Sequence, residues 1–294
     1  MTYLVGKDLP ATPAGQRFKE MMHRKGIMQI PGAHNGQAAL QARDCGFGAL
    51  YLSGAAMTAS MGLPDLGIIT IDEVCFFIRQ VVRATGLPVL VDGDTGYGET
   101  LNVMNMVRAF EEAGAAAVHI EDQVLPKKCG HLNDKKLVSP QEMAQKVAAA
   151  ARARRDMVVI ARTDAAGSEG LDGAVARARL YYEAGADAIF PEALISEEMF
   201  REFARRLPDV PLLANMTEFG RSPYFTASEF ESMGYSMVIW TVCSLRAAYR
   251  VQAELFATIV RTGGTNAMLD RMQTSEELYR TLRDYDYISE EQTS

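Results

Sequence analysis

Five consecutive residues, Lys127 to His131, carry an unusual concentration of reactive side chains. A thiol, Cys129, stands between two ammonium groups and an imidazole. Neighbouring cations lower the cost of ionising a thiol, so Cys129 could give up a proton near neutral pH. The stretch follows two carboxylates, Glu121 and Asp122, and this order favours a loop that carries a proton donor over a metal-bound anion. The alternative is a solvated turn that happens to contain a cysteine.

Nearly every apolar run of the chain stops at a polar or charged residue. These residues are Ser53, Asp92, Asp94, Glu121, Asp122, Arg162, Asp164, Glu192, Asn215 and Thr217. Side chains two apart on a strand share a face, so Asp92 and Asp94 are predicted to point the same way. Two adjacent carboxylates repel unless a cation lies between them, and oxygen ligands suit Mg²⁺ or Mn²⁺. With Glu121 at the next strand end, a metal site is favoured over a turn with capping acids.

Other candidate residues leave more than one interpretation open. Asp65 lies in the loop 62–67, which is either a plain Gly/Pro loop or the carrier of an acid that reaches the site. His131 is the best functional candidate among the histidines, because it shares a loop with the thiol. His119 is as consistent with a hydrogen bond inside a barrel as with a direct role, and His34 could have either. No glycine-rich phosphate motif is present, which weakens nucleotide-dependent functions.

The elements that must position these residues alternate regularly. A helical pattern ends at Gly46, Gly114, Gly185 and Gly234, and each time an apolar run follows within a few residues. Glycine commonly ends helices in the left-handed conformation. Eight strands are predicted, centred near Ile30, Leu52, Leu90, Val118, Val159, Ile189, Leu213 and Ile239. Eight strand–helix units predict a (β/α)8 barrel of the TIM type, whose active site lies at the carboxyl ends of the strands.

Composition narrows the class of protein. The 294 residues are 48% hydrophobic and carry a formal net charge of −7, which argues against nucleic acid or an anionic membrane as the main partner. No signal-like start or membrane-length apolar run is present, and the four scattered cysteines indicate reduced thiols, so we expect a cytoplasmic protein. One domain, residues 1–294, is predicted, with a helical extension from about Leu245 that packs on a partner subunit.

These residues together resemble the isocitrate lyase and phosphoenolpyruvate mutase superfamily. The resemblance runs from about Gln16 to Tyr279. The matching segments are residues 51–55, 62–67, 91–98, 120–123, 127–131, 161–165, 190–193 and 213–220. The Lys-Lys-Cys-Gly-His sequence of residues 127–131 is specific to the carbon–carbon lyase branch of that superfamily.

The resemblance implies a role for each matching residue. Asp92, Asp94 and Glu121 would hold Mg²⁺, Glu121 through water. Cys129 would be the proton donor, with Gly130 and His131 closing over the substrate and Asp65 as a further catalytic residue. A small di- or tricarboxylate would be held by Tyr51, Ser53, Gly54, Ala55, Gly130, Arg162, Glu192, Asn215, Met216, Thr217 and Arg246. Helix exchange between the subunits of a homotetramer is implied as well.

The activity implied is cleavage of 2-methylisocitrate to pyruvate and succinate, as in propionate catabolism. Cleavage of 2,3-dimethylmalate and hydrolysis of oxaloacetate on the same scaffold are the alternatives, and a catalytically silent metabolite-binding barrel is a third. Ser275 stands where relatives carry an arginine that helps to bind substrate. The sequence therefore does not identify which residue of this chain binds one of the substrate carboxylates.

Overall fold

A ring of eight parallel strands forms the centre of the protein. The structure, a computed structural model, describes residues 4, 6, 10–128, 135–283, 286 and 288. The strands in these residues are β1 Met28–Pro31, β2 Leu50–Leu52, β3 Val89–Asp92, β4 Ala117–Glu121, β5 Val158–Thr163, β6 Ala188–Pro191, β7 Leu213–Asn215 and β8 Met237–Trp240. Each predicted strand centre lies within one of them, so the predicted strand pattern is confirmed.

The strands pair in sequence order and close on themselves. Strands β2 to β6 form one run and β7, β8 and β1 another. Single bridges join the two runs, between Gly32 and Tyr51 and between Ile189 and Leu212. The last strand, β8, pairs with the first in parallel, with Ile30 opposite Ile239. The predicted (β/α)8 barrel is confirmed.

Helices surround the ring. They are α1 Ala14–Met22, α2 Gly36–Asp44, α3 Gly54–Ser60, α4 Ile71–Thr85, α5 Thr100–Ala113, α6 Pro140–Ala153, α7 Ala166–Glu183, α8 Glu197–Arg206, α9 Ala227–Ser232, α10 Cys243–Thr262 and α11 Ser275–Leu282, with a 3-10 helix at Asn266–Arg271. The four glycines predicted to end helices have φ between 94° and 113°. A side chain with a Cβ is strained there, which explains glycine at these helix-to-strand junctions.

The strands separate two apolar layers. The inner layer fills the barrel with side chains such as Ile30, Leu90 and Ile160, and Phe18 of α1 packs against it. The outer layer lies between strands and helices and includes Val118 and Ile120. Strand alternation therefore sends His119 and Glu121 of β4 to the inner face. Apolar packing positions both side chains, and the polar strand ends are left to form a site.

The C-terminal helices cover little of the barrel. Only Leu245 and Thr258 of the 20-residue helix α10 are buried. Phe256 and Val260 are 60% and 88% exposed, and Leu269 and Leu282 are also exposed. The described chain is largely helical from Cys243 onward, and this C-terminal part presents apolar side chains that the rest of the described chain does not cover. Among the described residues no helix has the length and apolar character to cross a bilayer.

Candidate active site

A cavity of about 170 Å³ opens at the carboxyl ends of the strands. The predicted site residues that line it are Tyr51, Ser53, Ala55, Asp65, Asp92, Arg162, Glu192, Asn215, Thr217 and Arg246. A larger depression of about 710 Å³ beside α8 is lined by helix residues such as Glu197 and Arg205, and no strand end contributes to it. The polar groups that the sequence singles out therefore converge on the smaller cavity.

Asp92 and Asp94 meet at the start of helix α3. The Gly54 N–H donates to Asp92 Oδ2 at 3.0 Å, and the Asp94 N–H donates to Asp92 Oδ1 at 3.1 Å. A Cβ on Gly54 would lie 2.9 Å from Asp92 Oδ2 and 3.5 Å from Asp94 Oδ1. Both carboxylates therefore face the same point, and glycine is required there because any side chain would collide with Asp92.

The two carboxyls differ in their readiness to ionise. Burial disfavours the charge of Asp92, but His119, Lys127 and Arg162 outweigh it and hold its pKa well below the ordinary value. Burial raises the pKa of Asp94 to about 6 against the opposing effect of Lys127. Asp92 is thus the more acidic carboxyl of the pair, and Asp94 depends more strongly on a neighbouring cation for its ionisation.

Lys127 bridges two of the predicted acids. Its ammonium group lies 2.6 Å from Asp65 Oδ1 and 2.6 Å from Asp94 Oδ1, and the side chain is 3% exposed. The carboxylates around it, Glu121 among them, raise the pKa of Lys127 well above its usual value although burial opposes the charge. The sequence suggested that Lys127 would act on the neighbouring thiol, whereas the structure directs it to carboxylates. Asp65 is thereby brought to the cavity from its loop.

Glu121 is a buried carboxyl with unused oxygens. Neither oxygen has a hydrogen-bond donor within the described residues, although Arg162 Nη1 lies 3.2 Å from Oε2. Burial raises its pKa well above the ordinary value, against the opposing charges of Arg162 and Lys127. Buried carboxyl oxygens are usually satisfied by donors, water or a metal. The unused oxygens beside Asp92 and Asp94 fit a site for a hydrated divalent cation.

The described residues do not enclose a metal by themselves. No three Asp, Glu, His or Cys side chains in the described ranges converge closely enough to form a complete ligand cage. Mg²⁺ commonly takes one or two carboxylates and keeps several waters or substrate oxygens. The donor set of Asp92, Asp94 and Glu121 therefore suits Mg²⁺ better than a metal that requires a closed protein cage.

Arg162 supplies the opposite charge. Its Nε and Nη2 donate to the two oxygens of Asp164 at 2.9 and 3.1 Å. Its guanidinium carbon lies 5.1 Å from the centre of the Phe190 ring, within the range of cation–π attraction. Burial opposes the charge of Arg162, but Asp164, Glu121 and Glu192 outweigh it and raise its pKa well above the usual value. A fixed cation therefore faces the cavity.

The remaining wall is polar. Asn215 donates to Glu192 Oε2 at 3.1 Å, and the buried Glu192 also accepts from the Ala193 N–H. Arg246 is exposed at the rim and bonds the carbonyl of Glu218 at 2.5 Å. Asn215 thus presents its amide oxygen without a donor among the described residues, as a free acceptor at the cavity.

Tyr51 and His119 lie beneath the carboxylates. The Tyr51 hydroxyl is 2.9 Å from His119 Nε2 and 3.5 Å from Asp92 Oδ2. Burial lowers the pKa of His119 to about 4, so the ring is neutral at physiological pH. His119 therefore has the interior hydrogen-bonding role that was one of its two sequence interpretations.

Several predictions about individual residues need correction. Met216 was predicted to bind substrate, but its side chain lies in the outer apolar layer, where its sulfur contacts the Phe225 N–H, and it does not line the cavity. Gly54 was predicted to contact substrate, and its N–H donates to Asp92 Oδ2. Asp94 lies beyond the end of β3 with a φ of 45°, so a turn, not strand alternation, brings it beside Asp92. Cys129, Gly130 and His131 lie outside the described residues.

Some contributors were not singled out from the sequence. Phe190, Phe219 and Thr241 also line the cavity. Phe190 follows the inward alternation of β6, which could have indicated it. The contact of Gln123 with Lys128 depends on the path of a loop, and no sequence pattern signals it.

Known proteins are similar to this chain in sequence and in fold. The 2-methylisocitrate lyase of Bacillus subtilis is 53% identical over 293 residues, which cover 100% of this chain and 97% of the relative. The solved structure of a 2,3-dimethylmalate lyase matches with a TM-score of 0.90 and 34% identity, covering 97% of each chain. A phosphonopyruvate hydrolase in complex with oxalate and Mg²⁺ matches with a TM-score of 0.86 and 30% identity, covering 95% of this chain and 98% of that one.

The fold and the site define a (β/α)8-barrel protein with a carboxylate- and guanidinium-lined cavity at the carboxyl ends of its strands. Residues 18–260 match the phosphoenolpyruvate phosphomutase family, and the chain belongs to that family.

Proposed function

We propose that this protein is a carbon–carbon lyase that cleaves 2-methylisocitrate into pyruvate and succinate and uses Mg²⁺. The observation that carries the proposal is a cavity of about 170 Å³ that is lined by Asp92, Lys127 and Arg162. Behind this lining, Asp94 lies 2.6 Å from the Lys127 ammonium and Glu121 lies 3.2 Å from the Arg162 guanidinium. A small polycarboxylate matches both the size and the paired charges. The similarity to 2-methylisocitrate lyases of several organisms, at 41–53% identity, supports the same reaction.

Asp92, Asp94 and Glu121 are the residues that would hold the cation, with Mn²⁺ as a possible substitute for Mg²⁺. When bound, a divalent cation stabilises the alkoxide that a 2-hydroxy acid develops as its carbon–carbon bond breaks. The family member solved with oxalate and Mg²⁺ supports this choice of metal.

Basic and polar side chains hold the substrate carboxylates. Arg162 is desolvated and fixed by Asp164, so it can bind a carboxylate without first reorganising. Ser53 accepts weakly from the Ala56 N–H at 3.4 Å and keeps its own hydroxyl proton available to donate. Asn215, Thr217 and Arg246 complete the polar wall.

Two proton transfers accompany cleavage. The substrate hydroxyl loses its proton as the ketone of pyruvate forms, and Asp65, a carboxylate at the cavity held by Lys127, is the proposed acceptor. The electron pair of the broken bond remains on the succinate half, and Cys129 is the proposed donor of the proton that quenches it. His131 and Gly130 would lie beside the thiol in this scheme.

Pyruvate release from 2-methylisocitrate, measured with and without EDTA, tests the proposal. We expect activity that EDTA abolishes and Mg²⁺ restores. Cys129→Ser should lower kcat by about 10²- to 10⁴-fold, the usual contribution of a positioned proton donor. Cys45→Ser, at an exposed thiol on the end of α2, is the matched control and should retain wild-type kcat. Metal-independent cleavage would contradict the site proposed here.

Cleavage of 2,3-dimethylmalate is a second candidate, because the dimethylmalate lyase structure matches with a TM-score of 0.90. Product analysis with 2-methylisocitrate, 2,3-dimethylmalate and oxaloacetate side by side separates the three reactions. We expect the highest kcat/KM for 2-methylisocitrate. No turnover of any of the three would favour a metabolite-binding barrel.

We also infer that the protein is a homotetramer that acts in the cytoplasm, in the methylcitrate cycle of propionate catabolism. The apolar side chains exposed on α10 and α11 support an assembly in which the single barrel domain exchanges its helical extension with a partner. Light scattering after gel filtration gives the mass. Phe256→Glu should lower it, whereas Leu101→Glu, at a 76% exposed position of α5, should leave it unchanged.

A further inference from the structure

Gln123 holds the backbone of Lys128 at two points. Its side-chain Nε2 donates to the Lys128 carbonyl at 2.9 Å, and its Oε1 accepts from the Lys128 N–H at 2.8 Å. One amide therefore satisfies both main-chain groups of the same residue, and the reversed orientation of the amide would place like groups together. Gln123 is 2% exposed, so water does not compete for either contact.

The backbone of Gln123 is itself fixed. It forms an antiparallel bridge with Leu137, and the bonds on either side run from the Val124 N–H to the Lys136 carbonyl and from the Val138 N–H to the Asp122 carbonyl. Gln123 directly follows the end of β4 and its two acids. The side-chain amide of Gln123 thus fixes the backbone of Lys128 relative to strand β4.

Lys127, which precedes Lys128, contacts two carboxylates at once. The buried ammonium of Lys127 lies 2.6 Å from both Asp65 and Asp94. Its stem is close to Gly67, where an added Cβ would meet Lys127 Cγ at 3.4 Å. A lysine side chain has several rotatable bonds, so a contact to two carboxylates at once requires a fixed backbone.

We propose that Gln123 is a positioning residue that acts through Lys127. By fixing the Lys128 backbone it places the Lys127 ammonium between Asp65 and Asp94, and so sets the charge and geometry of the acidic side of the cavity. This inference rests on the proposed lyase function for its kinetic consequence, although the placement of Lys127 can be measured without activity.

A double-mutant cycle tests the inference in the active enzyme. Gln123→Ala should lower kcat/KM by about 10- to 100-fold, the range expected for a small misplacement of a site group. If Gln123 acts through Lys127, then Lys127→Met and the double variant should have the same kcat/KM, because the second change has nothing left to disturb. Multiplicative losses would overturn the proposal. Gln123→Glu, which keeps the acceptor for the Lys128 N–H, replaces Gln123→Ala if the latter does not fold.

Two controls accompany the cycle. Gln16→Ala removes a glutamine contact to Asp156, which precedes β5 at the opposite end of the barrel, and should leave kcat/KM unchanged. Trace acetylation read by mass spectrometry reports on Lys127 directly. Gln123→Ala should speed modification of Lys127 relative to Lys146, a buried lysine of α6.

The two measurements separate the possible failures. If the wild type cleaves 2-methylisocitrate, the cycle decides. If it does not, the proposed function fails, and acetylation alone decides: faster modification of Lys127 supports the positioning role, and an unchanged rate overturns it.

Discussion

Arg162 is bound to Asp164 through two hydrogen bonds, at 2.9 and 3.1 Å, which leave Nη1 to face Glu121 at 3.2 Å. Asp164 also contacts Lys135 and is fully enclosed by protein. The pair therefore fixes both the charge and the direction of the guanidinium before substrate arrives.

Removing the charge of Asp164 should impair substrate binding by Arg162 although Arg162 itself is unchanged. Asp164→Asn breaks a buried ion pair, a change that typically costs about 3–5 kcal/mol. We expect a lower Tm and a kcat/KM at least about 100-fold below wild type. Arg162→Lys should give a similar kinetic loss, because an ammonium cannot form the paired hydrogen bonds of a guanidinium. Steady-state kinetics and calorimetry provide the measurements, and a wild-type kcat/KM in Asp164→Asn would contradict the role.

Metal binding should be visible without substrate. A ligand that binds only the folded state raises its stability, by about 2.7 kcal/mol at 100 times Kd. The Tm of the wild type should therefore rise when Mg²⁺ is added after EDTA treatment. Asp92→Asn removes the most firmly anionic donor and should abolish most of this shift. An equal Mg²⁺-induced shift in Asp92→Asn would rule out this carboxylate as a metal-holding group.

Gly54→Ala tests the close approach of α3 to the carboxylates. The new methyl would lie 2.9 Å from Asp92 Oδ2, which is closer than real Cβ atoms come to other groups. Asp92 must then move, so we expect loss of the Mg²⁺-induced Tm shift together with at least about 100-fold lower kcat/KM. Gly167→Ala, at a helical glycine whose Cβ meets nothing within 4 Å, is the control. Equal behaviour of the two variants would contradict the steric argument.

The Arg177–Glu169 pair predicts an acid-sensitive part of the stability. Arg177 donates to both Glu169 oxygens, at 2.8 and 2.6 Å, and these bonds hold the pKa of Glu169 below its ordinary value. Because the folded pKa is the lower one, the stabilisation is complete above the unfolded pKa, about 4.3, and is lost as pH falls through the folded value.

Glu169→Gln should therefore unfold at lower urea concentration than the wild type near neutral pH. The difference should shrink as pH falls below about 4. The effect is small because Glu169 is partly exposed. A difference that grows on acidification would have the wrong sign for this pair. Urea titrations at several pH values give the measurement.

The sequence predicted the barrel well because apolar periodicity and glycine-ended helices are local signals. Ile30, Leu90 and Ile239 lie in strands that the apolar residues next to them in sequence already predicted. The grouping of the polar strand ends was predictable as well, because parallel barrel strands bring their carboxyl ends to the same side.

What the sequence missed depends on loops and turns. The left-handed turn at Asp94 changes how that carboxylate reaches Asp92, and the outer-layer packing of Met216 turns its sulfur away from the cavity. The contacts of Lys127 with Asp65 and Asp94 join three separate segments of chain. Pairings between such distant segments have no periodic signature, so only the folded structure reveals them.

The bridge between Gln123 and Leu137 places the two ends of the intervening segment side by side. The intervening segment therefore leaves the barrel and returns to it at two neighbouring positions. Enzyme engineers could exchange the segment between related barrels while the scaffold stays unchanged. The attachment points to keep in such a graft are Gln123, Leu137 and the bond from the Val138 N–H to Asp122.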